Sequence, residues 1–276
     1  MSGTLYVIGT PIGNLGDISP RALETLEKCD FIAAEDTRVT LKLLNRFGIK
    51  KPMVSYFEHN KFERGPVIAE RLLSGENGAI VTDAGMPAIS DPGEDLVRLC
   101  HEKGIKVESV PGPCAFTTAL AISGMPSRRF TFEGFLPVDK SARKAHIASI
   151  VAEERTMIFY EAPHKLSATL TDLAAALGNR EIAIVRELTK IHEQVIRTEL
   201  CAAAEKYSKE ELKGEIVLII GGAEHKEEEE MTLEQAVGYA KELVENGETK
   251  TSAAKIAAKE SGFKKGEIYK YLIEEE

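Results

Sequence analysis

No stretch of this 276-residue sequence approaches the ~18 consecutive apolar residues that a membrane-spanning helix needs, so no span is predicted. A basic n-region and a cleavage site are also missing. Met1-Ser2-Gly3-Thr4-Leu5 runs straight into an apolar strand, which predicts a cytoplasmic chain. The four cysteines lie far apart without a CxxC pair, which supports neither a zinc knuckle nor a disulfide framework. The six histidines form no HxH, HExxH or HxxxH, so no metal is predicted. Positive charge is in short supply too. A net charge of −9 argues against a protein that coats nucleic acid indiscriminately. Much of that charge sits at one end. Residues 223–276 hold 14 Glu against 8 Lys, with no Asp or Arg. The remainder is nearly balanced, and local basic patches there can still meet a polyanion.

What is present is the material of an α/β protein. With 43% hydrophobic and 29% charged residues the chain can bury a full core, and its length favours two domains of ordinary size. Short apolar runs alternate with amphipathic helical stretches. Strands are predicted at 5–8, 31–34, 79–82 and 106–110, then at 130–135, 157–160, 182–185, 195–198 and 215–220. Ser19 as N-cap with Pro20 behind it announces the first helix. Breakers cluster at 123–127 and place a boundary there, giving domains 1–124 and 125–224. The block Glu227–Glu230 reads as a solvated linker. Residues 231–276 form a helical segment that resembles a helix-turn-helix, although a packing or dimer-stabilising appendage is the favoured reading.

Three Gly/Pro loops leave strand ends: 9–17, 82–93 and 110–115. In an open α/β sheet such loops gather on one edge, where ligands bind, and their glycines let a ligand approach backbone atoms. The first is neither a Walker A loop nor GxGxxG, so a nicotinamide enzyme fits poorly, although Glu35 and Asp36 stand where a ribose-binding acid of such a fold sits. The polar clusters Asp36/Arg38, Glu58/Asn60 and Arg186/Glu187/Lys190 are candidate catalytic groups. Each also has a structural reading: a strand-end ion pair, a solvated loop and a solvated turn. Lys61, Arg64, Arg128, Arg129, Lys140, Arg143, Lys144 and His146 are candidate RNA contacts, as are the lysines between Lys250 and Lys270.

The stretches GTPIGNLGDIS (9–19), AAEDTR (33–38), VTDAGMPAISDPG (81–93), VPGPCAFTTALAISG (110–124), YEAPHK (160–165), RELTKIHEQ (186–194) and GEIVLIIGG (214–222) together resemble the ribosomal RNA small subunit methyltransferase I family of the tetrapyrrole methylase-like superfamily. The resemblance implies two α/β domains with S-adenosyl-L-methionine in the cleft between them. It also implies a homodimer and 2′-O-methylation of a cytidine ribose in the decoding region of 16S rRNA in the small ribosomal subunit. Carried over residue by residue, the cofactor contacts are Pro11, Ile12, Asp83, Met86, Ile89, Cys114, Ala115 and Phe116. From the second domain, Tyr160, Glu161, Leu188, Gly214 and Glu215 join them. Many superfamily relatives read Gly-Asp-Pro where this chain has Gly85-Met86-Pro87, so contact there falls to the backbone or to Asp83. A tetrapyrrole C-methyltransferase of the same superfamily is the alternative.

Overall fold

The computed structural model describes residues 2–224 and 231–274. The acidic block Glu227–Glu230 lies outside the described residues. The first half runs β1 (Thr4–Ile8), α1 (Pro20–Lys28), β2 (Phe31–Ala34), α2 (Thr37–Arg46), β3 (Met53–Ser55), α3 (Lys61–Leu73), β4 (Gly78–Val81), α4 (Glu94–Glu102), β5 (Lys106–Val110) and α5 (Ala115–Ser123). The second continues with β6 (Phe130–Phe135), α6 (Lys140–Ser149), β7 (Thr156–Glu161), α7 (Leu166–Leu177), β8 (Glu181–Arg186), β9 (Gln194–Glu199), α8 (Leu200–Tyr207) and β10 (Ile216–Ile220).

The first sheet is parallel throughout, in the order β3-β2-β4-β1-β5. β2 and β4 are buried along their whole length, as strands covered by helices on both faces must be. Because side chains alternate, Ile32 and Ala34 face one core with Leu26 and Leu44, while Phe31 and Ala33 face another with Ile68, Leu72 and Leu96. The short strand β3, absent from the sequence reading, occupies the edge.

The second sheet has the order β6-β7-β10-β8-β9 and is mixed: β6 and β7 are parallel, and β10 is inserted antiparallel between β7 and β8. One face carries Phe159, Ile184 and Leu218 against Leu170, Leu173 and Leu200 of its own helices. The other packs Ile158, Ala183, Val217 and Ile219 on Ala119 and Leu120 of α5 and on Ile12 of the loop after β1. The core thus crosses Gly124, whose left-handed conformation ends α5. Residues 1–223 form one compact unit in consequence.

Residues 224–276 form a second unit. It contains α9 (Leu233–Glu245), α10 (Lys250–Ser261) and α11 (Lys265–Glu274). A Thr232/Gln235 capping box opens α9, and Gly262 closes α10 in the left-handed region. Its small core is Ala236, Ala240, Ala254, Ala257, Ile268 and Leu272.

Candidate active site

β4, β1 and β5 are neighbours, so the three glycine loops that leave them meet at one sheet edge. Backbone hydrogen bonds join them: Gly9 N–H to the Val110 carbonyl (3.0 Å), Thr10 N–H to the Gly85 carbonyl (2.9 Å) and Gly85 N–H to the Thr10 carbonyl (3.2 Å). Gly9 and Gly112 touch back to back. A Cβ on Gly112 would lie 2.8 Å from the Gly9 backbone. These glycines therefore set the spacing of two loops. Gly85, at φ 96°, needs the left-handed conformation that glycine adopts at no cost.

Above this edge lies a cleft of about 420 Å³, walled on its far side by the second sheet and its loops. Ile12, Asp83, Met86, Ile89, Cys114 and Ala115 line it from the first half, and Tyr160, Glu161, Leu188 and Glu215 from the second. Three predicted cofactor residues do not line it. Pro11 borders a smaller neighbouring pocket with Leu15 and Val39. The Phe116 ring stacks on Phe132, 4.5 Å between centroids, while its backbone N–H donates to the Tyr160 hydroxyl (3.1 Å). Gly214, at φ 98°, makes room for Glu187, since a Cβ there would sit 2.5 Å from that side chain.

Of the predicted catalytic groups, none lines the cleft itself. Asp36 caps α2, accepting the Arg38 N–H (2.8 Å), and the Arg38 guanidinium holds its carboxyl down at about 2. Its own N–H donates to Asp83 (3.1 Å), which places it just behind the cleft wall. Glu58 and Asn60 fall elsewhere. They follow the edge strand β3, where Glu58 pairs with Lys61 (2.7 Å) and Asn60 closes a turn through the Phe57 N–H (2.8 Å). Arg186 braces the hairpin by donating to the Lys213 carbonyl (2.9 Å) and to Gln194 (3.2 Å). Glu187 accepts from Lys190 (2.9 Å) and from the Glu215 N–H (3.0 Å), and Lys190 also reaches the Glu215 carboxylate (3.0 Å). This network flanks Leu188 and aims it into the cleft.

Of the acids on the cleft floor, Asp83 follows from the resemblance and Glu35 stands beside a predicted cluster, but sequence reasoning missed Asp91. Glu35, at the end of β2, accepts from the Thr82 hydroxyl (2.5 Å) and the Asp83 N–H (3.3 Å). Asp91, in the loop after β4, has its carboxyl pushed up to about 6, first by burial and then by the Glu35 charge. Burial likewise raises Asp83. Backbone strain gathers around the same cleft. Ala88, Ser90, Glu187 and Thr189 all have positive φ, between 52° and 67°, at about 1–3 kcal/mol each.

The arrangement fits S-adenosyl-L-methionine. Ile12, Leu188, Val217 and Tyr160 offer apolar surface to an adenosine, the glycine loops offer open backbone, and the floor acids Glu35, Asp83 and Asp91 offer carboxyls to a ligand that carries positive charge. Among the described residues no cluster of His, Cys, Asp and Glu has the arrangement of a metal site, and no helix is long and apolar enough to cross a membrane.

A two-sheet fold with a glycine-loop cleft between the sheets defines a class, and the family model described as Tetrapyrrole (Corrin/Porphyrin) Methylases matches residues 4–204. The same fold occurs in uroporphyrin-III C-methyl transferase from Thermus thermophilus complexed with S-adenyl homocysteine, with a TM-score of 0.56 and 16% identity over 79% of this chain and 97% of that one. Ribosomal RNA small subunit methyltransferase I of Synechocystis sp. is 44% identical over 99% of this chain and 98% of its own length. Its namesake in Thermotoga maritima is 47% identical, over 80% of this chain and all of its own. The chain belongs to the ribosomal RNA small subunit methyltransferase I family.

Proposed function

We propose that this chain transfers a methyl group from S-adenosyl-L-methionine to the ribose 2′-oxygen of a cytidine in 16S rRNA of the small subunit. The cleft carries the reading: glycine loops that expose backbone on one side, an apolar wall on the other, and an acidic floor. The names of the relatives support the rRNA substrate, and the S-adenyl homocysteine complex of the Thermus thermophilus enzyme supports an adenosyl ligand. Bound S-adenosyl-L-methionine supplies an electrophilic methyl carbon. The chain's own residues position the reactants, an effect worth about 7–11 kcal/mol in favourable cases. Ile12, Leu188, Val217 and Tyr160 hold the adenosine, and Glu35 and Asp83 face the positive charge. Asp91 takes the 2′-hydroxyl proton. A carboxyl raised to about 6 is still ionised at neutral pH yet more basic than an ordinary one, which suits a general base.

On this reading the halves 1–124 and 125–224 act as two domains that share the cleft. The resemblance supports a homodimer working in the cytoplasm. The test is incubation with methyl-labelled S-adenosyl-L-methionine and either 30S subunits or uroporphyrinogen. Label recovered as 2′-O-methylcytidine in nuclease digests of 16S rRNA is the expected result. Label in uroporphyrinogen alone would replace the reading with tetrapyrrole C-methylation.

A further inference from the structure

We propose that the groove between α6 and α7 binds the phosphate backbone of the rRNA beside its target nucleotide, an inference that rests on the rRNA reading above. The groove is a second cavity of about 750 Å³, separate from the cleft. Lys140, Lys144 and Lys165 stand on its walls, all exposed and without an ion pair among the described residues. The acids around them are engaged elsewhere. Asp139 caps α6 through the Ala142 N–H (2.9 Å), and Asp172 holds Arg143 (2.7 Å). Glu161 is buried and takes the Thr169 hydroxyl. The groove therefore presents an uncompensated cationic surface on a chain that is acidic overall.

The topology says where that charge points. β6 and β7 are parallel, so the helices that follow them start from the same sheet edge. That edge also supplies Phe135, Glu161 and Pro163 to the cleft. Lys140 is the first residue of α6, Lys144 lies one turn on, and Lys165 is the N-cap of α7. All three lysines thus gather at the cleft end, while Val151 and Ala176 leave the far end apolar. A lysine at a helix N-terminus opposes the helix dipole, and neither helix places an acid in its first turn, Asp139 at the cap of α6 being the one acid at either start. Helix stability alone would select the opposite sign here. Three unpaired ammonium groups beside the N-terminus of α7, which no side chain caps, suit a polyanion, and a strand of RNA leaving the cleft meets them.

The experiment measures binding of protein-free 16S rRNA across a salt series for the wild type and for the triple variant Lys140→Ala/Lys144→Ala/Lys165→Ala. A control triple, Lys28→Ala/Lys50→Ala/Lys103→Ala, removes equal charge at positions that precede β2, β3 and β5, on the opposite edge of the first sheet. Each phosphate contact contributes about 0.7–0.9 to the slope of log affinity against log salt. The groove variant should therefore lose about 2–3 from that slope and bind at least about tenfold more weakly near 0.1 M salt. Its cofactor affinity, by calorimetry, should be unchanged, and Lys→Arg at all three positions should restore binding. Equal slopes for the groove and control variants, in an enzyme whose wild type methylates rRNA, would overturn the groove and leave the function standing. So would a groove variant that only dissociates a dimer in sedimentation, because the occupant would then be a second copy. A wild type that neither binds rRNA nor methylates it in 30S subunits would overturn both.

Discussion

Thr169 links the cleft to the outer face of the second sheet. Its hydroxyl, in a residue 1% exposed, donates to Glu161 on the cleft side and accepts from the Arg143 guanidinium (2.9 Å) on the groove side. Glu161 is itself only 6% exposed, and its other oxygen accepts the Ala162 N–H (2.8 Å). Thr169→Val keeps the shape of the side chain and deletes the hydroxyl. The carboxylate then loses one of two donors in a site that water does not readily reach. A hydrogen bond to a charged group is worth about 1.5–3 kcal/mol, and Arg143 offsets little because Asp172 already holds it. The expected destabilisation is about 2–3 kcal/mol, or roughly 4–10 °C in Tm for a unit of this size. Thr169→Ser keeps the hydroxyl, loses one methyl, and should cost about 1 kcal/mol. Urea unfolding followed by far-UV circular dichroism measures both. Because Glu161 lines the cleft, the valine variant should also bind S-adenosyl-L-methionine more weakly. Valine and serine variants that unfold within about 0.5 kcal/mol of each other would refute the buried-bridge argument.

Two further perturbations probe the cleft directly. Gly112→Val puts a Cβ 2.8 Å from the Gly9 backbone and must push the β1 and β5 loops apart, so calorimetry should show at least a tenfold loss of cofactor affinity in a folded protein; an unchanged dissociation constant would count against the spacing role. Asp91→Asn tests the raised carboxyl at about 6. Burial favours its protonated form in the folded state, so its contribution to stability is present below about pH 4 and is lost as pH rises through 6. Asparagine should therefore stabilise the fold at pH 7 by about 1 kcal/mol, after allowance for partial exposure, and leave it unchanged at pH 4. Methylation should fall about 10²–10⁴-fold and lose the wild-type rise near pH 6. A variant that keeps that pH step would remove Asp91 from the role of base.

Much of this molecule is local and therefore legible in the chain. The period-2 and helical apolar patterns mark most of the strands and helices, since each reports only which face of a short segment is buried. The glycine loops are equally local, and a parallel sheet puts the loops after its strands on one edge whatever the strand order. Their meeting at the cleft was readable for that reason. Strand order was not, because it depends on which apolar faces find each other across long stretches of chain. The order β3-β2-β4-β1-β5 sets Glu35 against Thr82 and Asp83, residues 47 and 48 positions away, and so builds an acidic floor that no spacing rule contains. The same order leaves β3 at the edge and carries Glu58 and Asn60 away from the cleft, although their polar run looked as catalytic as that of Asp36. At the start of α5, Phe116 follows the pattern of a ligand contact, yet its ring stacks on Phe132 of the second half and does not line the cleft. Local residues determined the elements and their loops; packing between distant elements decided which side chains the loops would meet.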